Sequence, residues 1–542
     1  MSVVDSSKKN EAETGRSSLL SQKRKIVPAQ EAIRLIKDGD TVATGGFCGA
    51  GFAEDLAIHL EECYVETKKP KGLTLVYAAG QGDYVDRGLN HLGHEGLVTK
   101  IIGGFFGAAP RLSRFVIEGK IEAYNFPQGV ISHMFRDIAA HKPRTITTIG
   151  LETFVDPRYG GGKVNAMTTE DLVELVTFDG KEYLAYKTLP IDVALLRGTT
   201  ADENGNVSME REALTVEVQA MAMAARNSGG IVIVQVERVV QKGTINPKLV
   251  KIPGVLVDCV VVSRPEYHWQ TFAEVYNPSY SGEIKIPTRS IPLLEMSDRK
   301  VIARRAAFEL KPGDIVNLGI GMPEGISSIA NEEGIFDQIT LTAEPGVIGG
   351  LPAGGLSFGA ATNTEAIIDQ PSQFDFYHGG GLDIAFLGLA QADMKGNLNV
   401  SRFGPKLAGA GGFIDITQSS KKVVFTGTFM TGGLKVAVGD GKLRILQEGK
   451  MKKFLKGVEQ VTFSGPYAVK RNQPVLFITE RCVFKLGSKC LELIEIAPGI
   501  ELEKDIIANM EFKPLIKHPP RLMDKKIFRA GPMGLIDDFF TS

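Results

Sequence analysis

The sequence predicts an α/β protein built from two related, open, mostly parallel α/β domains in one chain. Three observations carry that reading. At 542 residues the chain is too long for one ordinary core, so two domains of roughly 250 residues are expected. Amphipathic helical stretches alternate with short β-branched runs that end in glycine, the order that builds parallel sheets. Long segments also recur at fixed offsets, which marks a duplication.

Taken in order, residues 1–24 are polar and rich in Ser, Lys and Glu, and are expected to form a disordered N-terminal extension. They lack an apolar segment and contain Asp5, Glu11 and Glu13, so they read as neither a secretory nor a mitochondrial leader. Residues 30–37 place Ala32, Ile33 and Ile36 on one helical face. Asp38-Gly39-Asp40 turns the chain into a strand at 41–43, which Gly45-Gly46 ends. Further strands are expected at 73–77, 191–196, 231–236 and 255–262, with a helix over 213–226.

KDGDTVATGGF (37–47) then reappears as KPGDIVNLGIG (311–321). IDVALLRGTTADENGNVS (191–208) reappears without a gap as LDIAFLGLAQADMKGNLN (382–399), and the same offset aligns 227–234 with 418–425. The first domain is therefore expected over 25–285. A Pro-containing linker follows at 286–297, and a second domain at 298–542 opens with a helix at 300–310.

Composition narrows the function. A formal net charge of −1 gives no footprint for nucleic acid, and no apolar run reaches the roughly 18 residues a membrane span needs. The five cysteines are odd in number and lack metal-ligand spacing, which fits reduced thiols in a cytoplasmic enzyme with no metal site.

The stretch 341–359, LTAEPGVIGGLPAGGLSFG, is the focus. A carboxylate, Glu344, follows a β-type run at 339–342 and precedes Pro345, Gly346, Gly349 and Gly350. That pattern predicts an acid on an open sheet edge, where glycine lets other backbone approach. A solvated glutamate in an ordinary surface turn and a catalytic nucleophile both fit it. The duplication bears on the choice: 341–346 aligns with 75–80, so Ala78 stands in one copy where Glu344 stands in the other.

Several segments together resemble the family I coenzyme A-transferases, specifically the single-chain acetate/propionate type. DGDTVATGGFCGAG (38–51) is similar to the signature of the α subunit in two-chain relatives, with Ala53 where proline is usual. NLGIGMP (317–323) is similar to the β-subunit opening. EPGVIGG (344–350) follows the Glu-x-Gly-x-Ile-Gly-Gly form of the nucleophile segment rather than the Ser-Glu-Asn-Gly of 3-oxoacid transferases. YNFPQGV (124–130), FDFYHGGGLD (374–383), GAGGFIDI (409–416), FTGT (425–428) and ITERCVF (478–484) extend the likeness from about Lys25 to the C-terminus.

The resemblance implies ping-pong CoA transfer between an acyl-CoA and a free carboxylate, with Glu344 as the nucleophile. It assigns the oxyanion and substrate to the Gln128 side chain and the backbone of Gly412 and Phe413. It assigns coenzyme A, a co-substrate rather than a permanently bound cofactor, to Asn317, Gly319, Gly321 and Gly411. A homodimer or homotetramer with small-molecule partners is expected. By residue type alone, 409–412 reads as a tight turn before a strand and Gln128 as a surface residue. A succinyl-CoA:3-oxoacid transferase, an acyl-CoA hydrolase and a non-catalytic CoA- or sugar-phosphate-binding protein are the alternatives. His91 and His94, His378, Trp269 and the Lys452-Lys453 pair are expected to be structural or solvated.

Overall fold

The computed structural model describes residues 24–287 and 293–540. The extension expected over 1–24 lies outside these residues except for Arg24, as does the middle of the expected linker.

The first sheet takes β1 (Thr41–Thr44), β2 (Leu73–Tyr77), β3 (Val98–Gly103) and β4 (Glu122–Asn125). It is completed by β5 (Val193–Arg197), β8 (Ile231–Val236) and β9 (Cys259–Val262), while β6 (Thr200–Asp202) and β7 (Val207–Ser208) pair antiparallel at the centre of a separate four-stranded sheet. The order is β9-β8-β5-β1-β2-β3-β4, and every neighbouring pair is parallel. β5 and β8 are buried along their whole length, as parallel strands covered on both faces must be. Their Val, Ile and Leu residues show this as continuous apolar runs rather than alternation.

The second sheet has the parallel centre β11 (Thr340–Ala343), β10 (Ile315–Leu318), β14 (Ile384–Gly388), β17 (Lys422–Thr426) and β18 (Val475–Ile478), in that spatial order. Antiparallel strands extend it on both sides. The spatial order β11-β10-β14-β17 repeats β2-β1-β5-β8, so the duplication read from sequence is a duplication of topology.

It reaches single hydrogen bonds. The Thr41 amide donates to the Asp192 carboxylate at 2.8 Å, and in the other copy Ile315 donates to Asp383 at 2.9 Å. Asp202 accepts from the amides of Asn204 and Asn206 and from the Asn206 side chain, each at 3.0 Å. Asp393 does the same with Lys395, Asn397 and the Asn397 side chain at 2.9–3.0 Å. These carboxylates tie off turns whose amides would otherwise be unpaired.

Boundaries moved where local geometry overrode pattern. The first helix, α1 (Ala29–Ile33), stops early because its last turn tightens to i→i+3 bonds at Leu35 and Ile36. The helix expected from 213 starts only at Val218 (α4, Val218–Asn227), because Val216 has φ +43° and cannot continue a helix. Of the strand expected over 255–262, only Cys259–Val262 forms. The second half does open with a helix, α5 (Asp298–Ala307), capped by the Ser297 hydroxyl.

One apolar cluster joins the halves. Ala43, Val76 and Val130 of the first pack with Ala343, Val347, Phe358 and Ile414 of the second. The seam between the two sheets is thus a continuous core, with the carboxyl ends of strands from both copies facing into it.

Candidate active site

Glu344 sits at the tip of a hairpin. β11 pairs antiparallel with β12 (Val347–Ile348), and the Gly346 amide closes the turn on the Ala343 carbonyl at 3.1 Å. The edge is not open as the sequence suggested, since β11 has a neighbour on each side. Only the turn projects. Gly346 is required there: its φ is +118°, and a Cβ would lie 1.9 Å from the Ile368 carbonyl oxygen.

The carboxyl is half-buried and faces the turn at 409–412, which precedes helix α8 (Phe413–Ser419) rather than the strand expected. A Cβ on Gly412 would come within 3.2 Å of Glu344 Oε1, so glycine there is what brings backbone up to the acid. The turn is threaded into the first half. The Gly411 amide donates to the Gly104 carbonyl (2.8 Å), Gln128 donates its amide to the Gly411 carbonyl (3.0 Å), and Ala410 donates to the Asn125 side chain (2.9 Å).

Beneath Glu344 lies a buried polar chain. The Tyr377 hydroxyl donates to Thr342 Oγ1 at 2.8 Å, and the Asn317 side-chain amide lies 3.3 Å from the Tyr377 oxygen. Asn317 Oδ1 is buried without a partner among the described residues. Asp415, fully buried, accepts from the Gly129 amide at 3.1 Å and lies 2.9 Å from His378 Nε2.

Burial pushes the Glu344 carboxyl up to about 7 and the nearby Asp415 charge adds to the rise, while its own backbone amide and the Asn317 side chain oppose it. A carboxylate of this basicity is a stronger nucleophile and remains substantially ionised at neutral pH. Cys48, its neighbour, is no rival: burial, with the Glu344 charge behind it, holds that thiol at about 12.

A cavity of about 510 Å³ opens above Glu344 between the halves. It follows the carboxyl ends of β10 and β14, the point where the strand order reverses and where open α/β sheets bind ligands. Glu344, Gln128, Gly319, Gly411, Gly412 and Phe413 all border it. Asn317 is not on the border, but its side chain hydrogen-bonds Glu344. Gly321 is not on the border, and its amide is spent on Glu324 at 2.9 Å. The Gly319 amide is likewise spent, on the Phe386 carbonyl at 2.8 Å, so this loop offers an anion no free amide at either glycine.

The Phe413 amide donates to the Ala410 carbonyl at 3.1 Å, whereas the Gly412 amide has no partner among the described residues. The Gln128 side-chain amide rests 3.4 Å from Gln370 Oε1. Of the two backbone donors expected, Gly412 is the free one.

Sequence reasoning missed Lys453. Read as part of a solvated face, it borders the cavity, its ammonium 3.1 Å from the Leu389 carbonyl and 3.2 Å from Thr428 Oγ1. Burial pushes it down to about 8 against the pull of Glu480 and Asp298. No local pattern separates it from Lys452. His91 and His94 share the Glu61 carboxylate, and His91 also meets Glu54. No group of three or more His, Cys, Asp or Glu among the described residues is arranged to hold a metal ion. No helix among them is long and apolar enough to cross a membrane.

An acid at a strand end, backbone brought up to it by glycine and a cavity between two sheets make this the candidate centre for group transfer. Comparison with known proteins agrees. The family model described as coenzyme A transferase matches residues 26–263. The chain is 51% identical to a caffeate CoA-transferase of Acetobacterium woodii over 94% of its own length and 98% of the relative's. It is 45% identical to the acetate CoA-transferase YdiF of Escherichia coli strain K12, over 94% and 96%. The crystal structure of the E. coli O157:H7 acyl-CoA transferase YdiF in a thioester complex with CoA superposes with a TM-score of 0.90 at 44% identity, over 95% and 98% of the two chains. The protein belongs to the coenzyme A transferase family. It is an enzyme that moves CoA between an acyl-CoA and a carboxylate.

Proposed function

We propose that the enzyme exchanges CoA between a short-chain acyl-CoA, acetyl- or propionyl-CoA, and a free short-chain carboxylate, with Glu344 as the covalent carrier. The ionised Glu344 attacks the acyl-CoA carbonyl, giving a mixed anhydride and CoA thiolate. The thiolate returns to the glutamyl carbonyl, forming a γ-glutamyl-CoA thioester and releasing the first acid. The incoming carboxylate then runs both steps in reverse. The observation that carries this reading is the Glu344 carboxyl lying against Gly412 at the foot of the cavity.

In this scheme the Gly412 amide and the Gln128 side chain stabilise each tetrahedral oxyanion. Phe413 contributes only if its amide leaves Ala410. Asn317 orients Glu344 from below, while Gly319 and Gly411 flank the CoA arm. CoA is a co-substrate and no cofactor is permanently bound. We place the two functional domains at 25–285 and 298–542, joined by a linker at 286–297, in a cytoplasmic homodimer or homotetramer.

The wall contributed by the first half (Phe47, Cys48, Gly80, Tyr84, Phe105 and Gln128) carries no charge and offers the second carboxylate of a succinyl group no partner, the cations on the border, Lys406 and Lys453, lying in the other half. Its three rings favour a second reading in which aromatic acids are also accepted, as the name of the caffeate relative suggests. Initial rates with propionyl-CoA against acetate, propionate, caffeate and succinate test both readings. Parallel double-reciprocal lines are expected, with succinate the poorest acceptor; intersecting lines would mean a ternary complex and no covalent carrier.

A further inference from the structure

A second cavity, of about 310 Å³, lies in the first half and shares no lining residue with the one at Glu344. Its position follows from the duplication. Arg197, on its wall, is the last residue of β5; in the other copy that place is taken by Gly388, the last residue of β14, which borders the catalytic cavity. Both copies therefore carry a cavity at the carboxyl end of the same strand, where strand order reverses.

Its chemistry differs from that of the catalytic cavity. Three guanidinium groups reach it. Arg87 lies 5.4 Å from the Trp269 ring centroid and 4.7 Å from that of Phe272, with Nη2 on the Phe272 carbonyl (2.8 Å) and Nε 3.5 Å from Asp83. Arg197 gives Nε to Glu212 (3.0 Å) and Nη2 to the His268 carbonyl (3.3 Å). Each has Nη1 without a partner among the described residues. The Arg111 guanidinium makes no hydrogen bond among the described residues, its nearest acid there being Asp86 at 3.9 Å.

The buried acid on this wall is already spent: Glu54 meets His91 Nε2 at 2.9 Å and the Gly88 amide at 3.0 Å. Asp86 and Glu266 are solvent-exposed. His91 carries positive charge, since burial opposes its protonation but Glu54 and Glu61 push it up to about 9. Tyr267, Trp269 and Phe272 supply flat apolar surface. Free guanidinium hydrogens beside aromatic faces suit a carboxylate on a planar body.

We propose that this cavity binds a planar organic carboxylate, separately from the acid that reacts at Glu344. The occupant would touch the wall of the active site. Tyr84 faces the catalytic cavity and Arg87 the second one, and Asp83 Oδ1 fixes the loop between them by accepting the amides of Val85, Asp86 and Arg87 at 2.8–3.0 Å. Phe272 packs on Gly49, beside Cys48, where a Cβ would come within 2.9 Å of the ring's own Cβ. Binding in one cavity is thereby coupled to the other, and the coupling is reciprocal.

Trp269 is the only tryptophan in the chain, so its fluorescence reports this cavity directly. Titrating the full-length enzyme with benzoate should give a saturable change, with weaker responses to acetate and to inorganic phosphate. Arg111→Ala should weaken benzoate about tenfold, the worth of a charge-assisted hydrogen bond, and leave the transferase rate without benzoate unchanged. The Glu344→Gln enzyme should bind benzoate as the wild type does, so the result stands apart from the fate of the covalent mechanism. No saturable change, unaltered affinity in Arg111→Ala, or phosphate binding more tightly than benzoate would each overturn the proposal.

Discussion

Ala78 and Glu344 occupy the same place in two copies of one scaffold. Ala43 pairs with Val76 across β1 and β2, and Asn317 pairs with Thr342 across β10 and β11. Two residues beyond Val76 comes Ala78, and two beyond Thr342 comes Glu344. Three apolar side chains in one copy thus stand opposite an amide, a hydroxyl and a carboxylate in the other. The aspartates that bind backbone amides, Asp192 with Asp383 and Asp202 with Asp393, are the same in both. What holds the chain is kept twice, and what equips the site occurs once.

The largest effect should come from erasing that difference. Glu344→Gln keeps the shape but removes the proposed nucleophile, and kcat should fall by at least about 10³-fold. Adding Ala78→Glu to that variant should restore nothing, because Ala43 and Val76 offer no polar support there. Recovery of activity would mean the supporting residues are dispensable.

Residues kept in both copies should respond alike. Asp202→Ala strands the amides of Asn204 and Asn206, with a longer contact from the Gly243 amide at 3.3 Å, and Asp393→Ala those of Lys395 and Asn397; each should cost about 2 kcal/mol of stability in urea unfolding. A clear inequality would show that the two turns no longer do the same work.

A smaller effect sharpens the cost of the site. The unfolded Glu344 carboxyl loses its proton near 4.5, the folded one only near 7. The native state therefore holds the extra proton between those values, and stability drains away as pH rises through that window. Glu344→Gln should remove the loss and stabilise the protein by about 1–2 kcal/mol at pH 8, allowing for water in the cavity, but not at pH 4. Activity should move oppositely in the wild type, with kcat/KM for acyl-CoA falling below about pH 7 as Glu344 protonates.

Much of this was legible in sequence because the duplication repeats turn chemistry as well as strands. Ala-Asp-x-x-Gly-Asn at 201–206 and 392–397 fixes both registers. The offset alignment of 75–80 with 341–346 survives as the observed pairing. Properties set by tertiary packing were hidden. Nothing local tells that Val216 is forced to φ +43°, that the Gly319 and Gly321 amides are already bonded, or that Lys453 points inward while Lys452 does not. The second cavity was hidden too: Arg87, Arg197 and Trp269 lie on separate segments, and Trp269 reads as packing until Arg87 is seen on its face.

The central claim is that Glu344 alone becomes covalently charged. Incubating the enzyme with propionyl-CoA in the absence of acceptor, reducing with borohydride and mapping peptides by mass spectrometry tests it directly. A reduced glutamyl side chain at position 344, absent from Glu344→Gln, is the predicted result. Modification of another residue, or turnover with no modified peptide, would contradict the account.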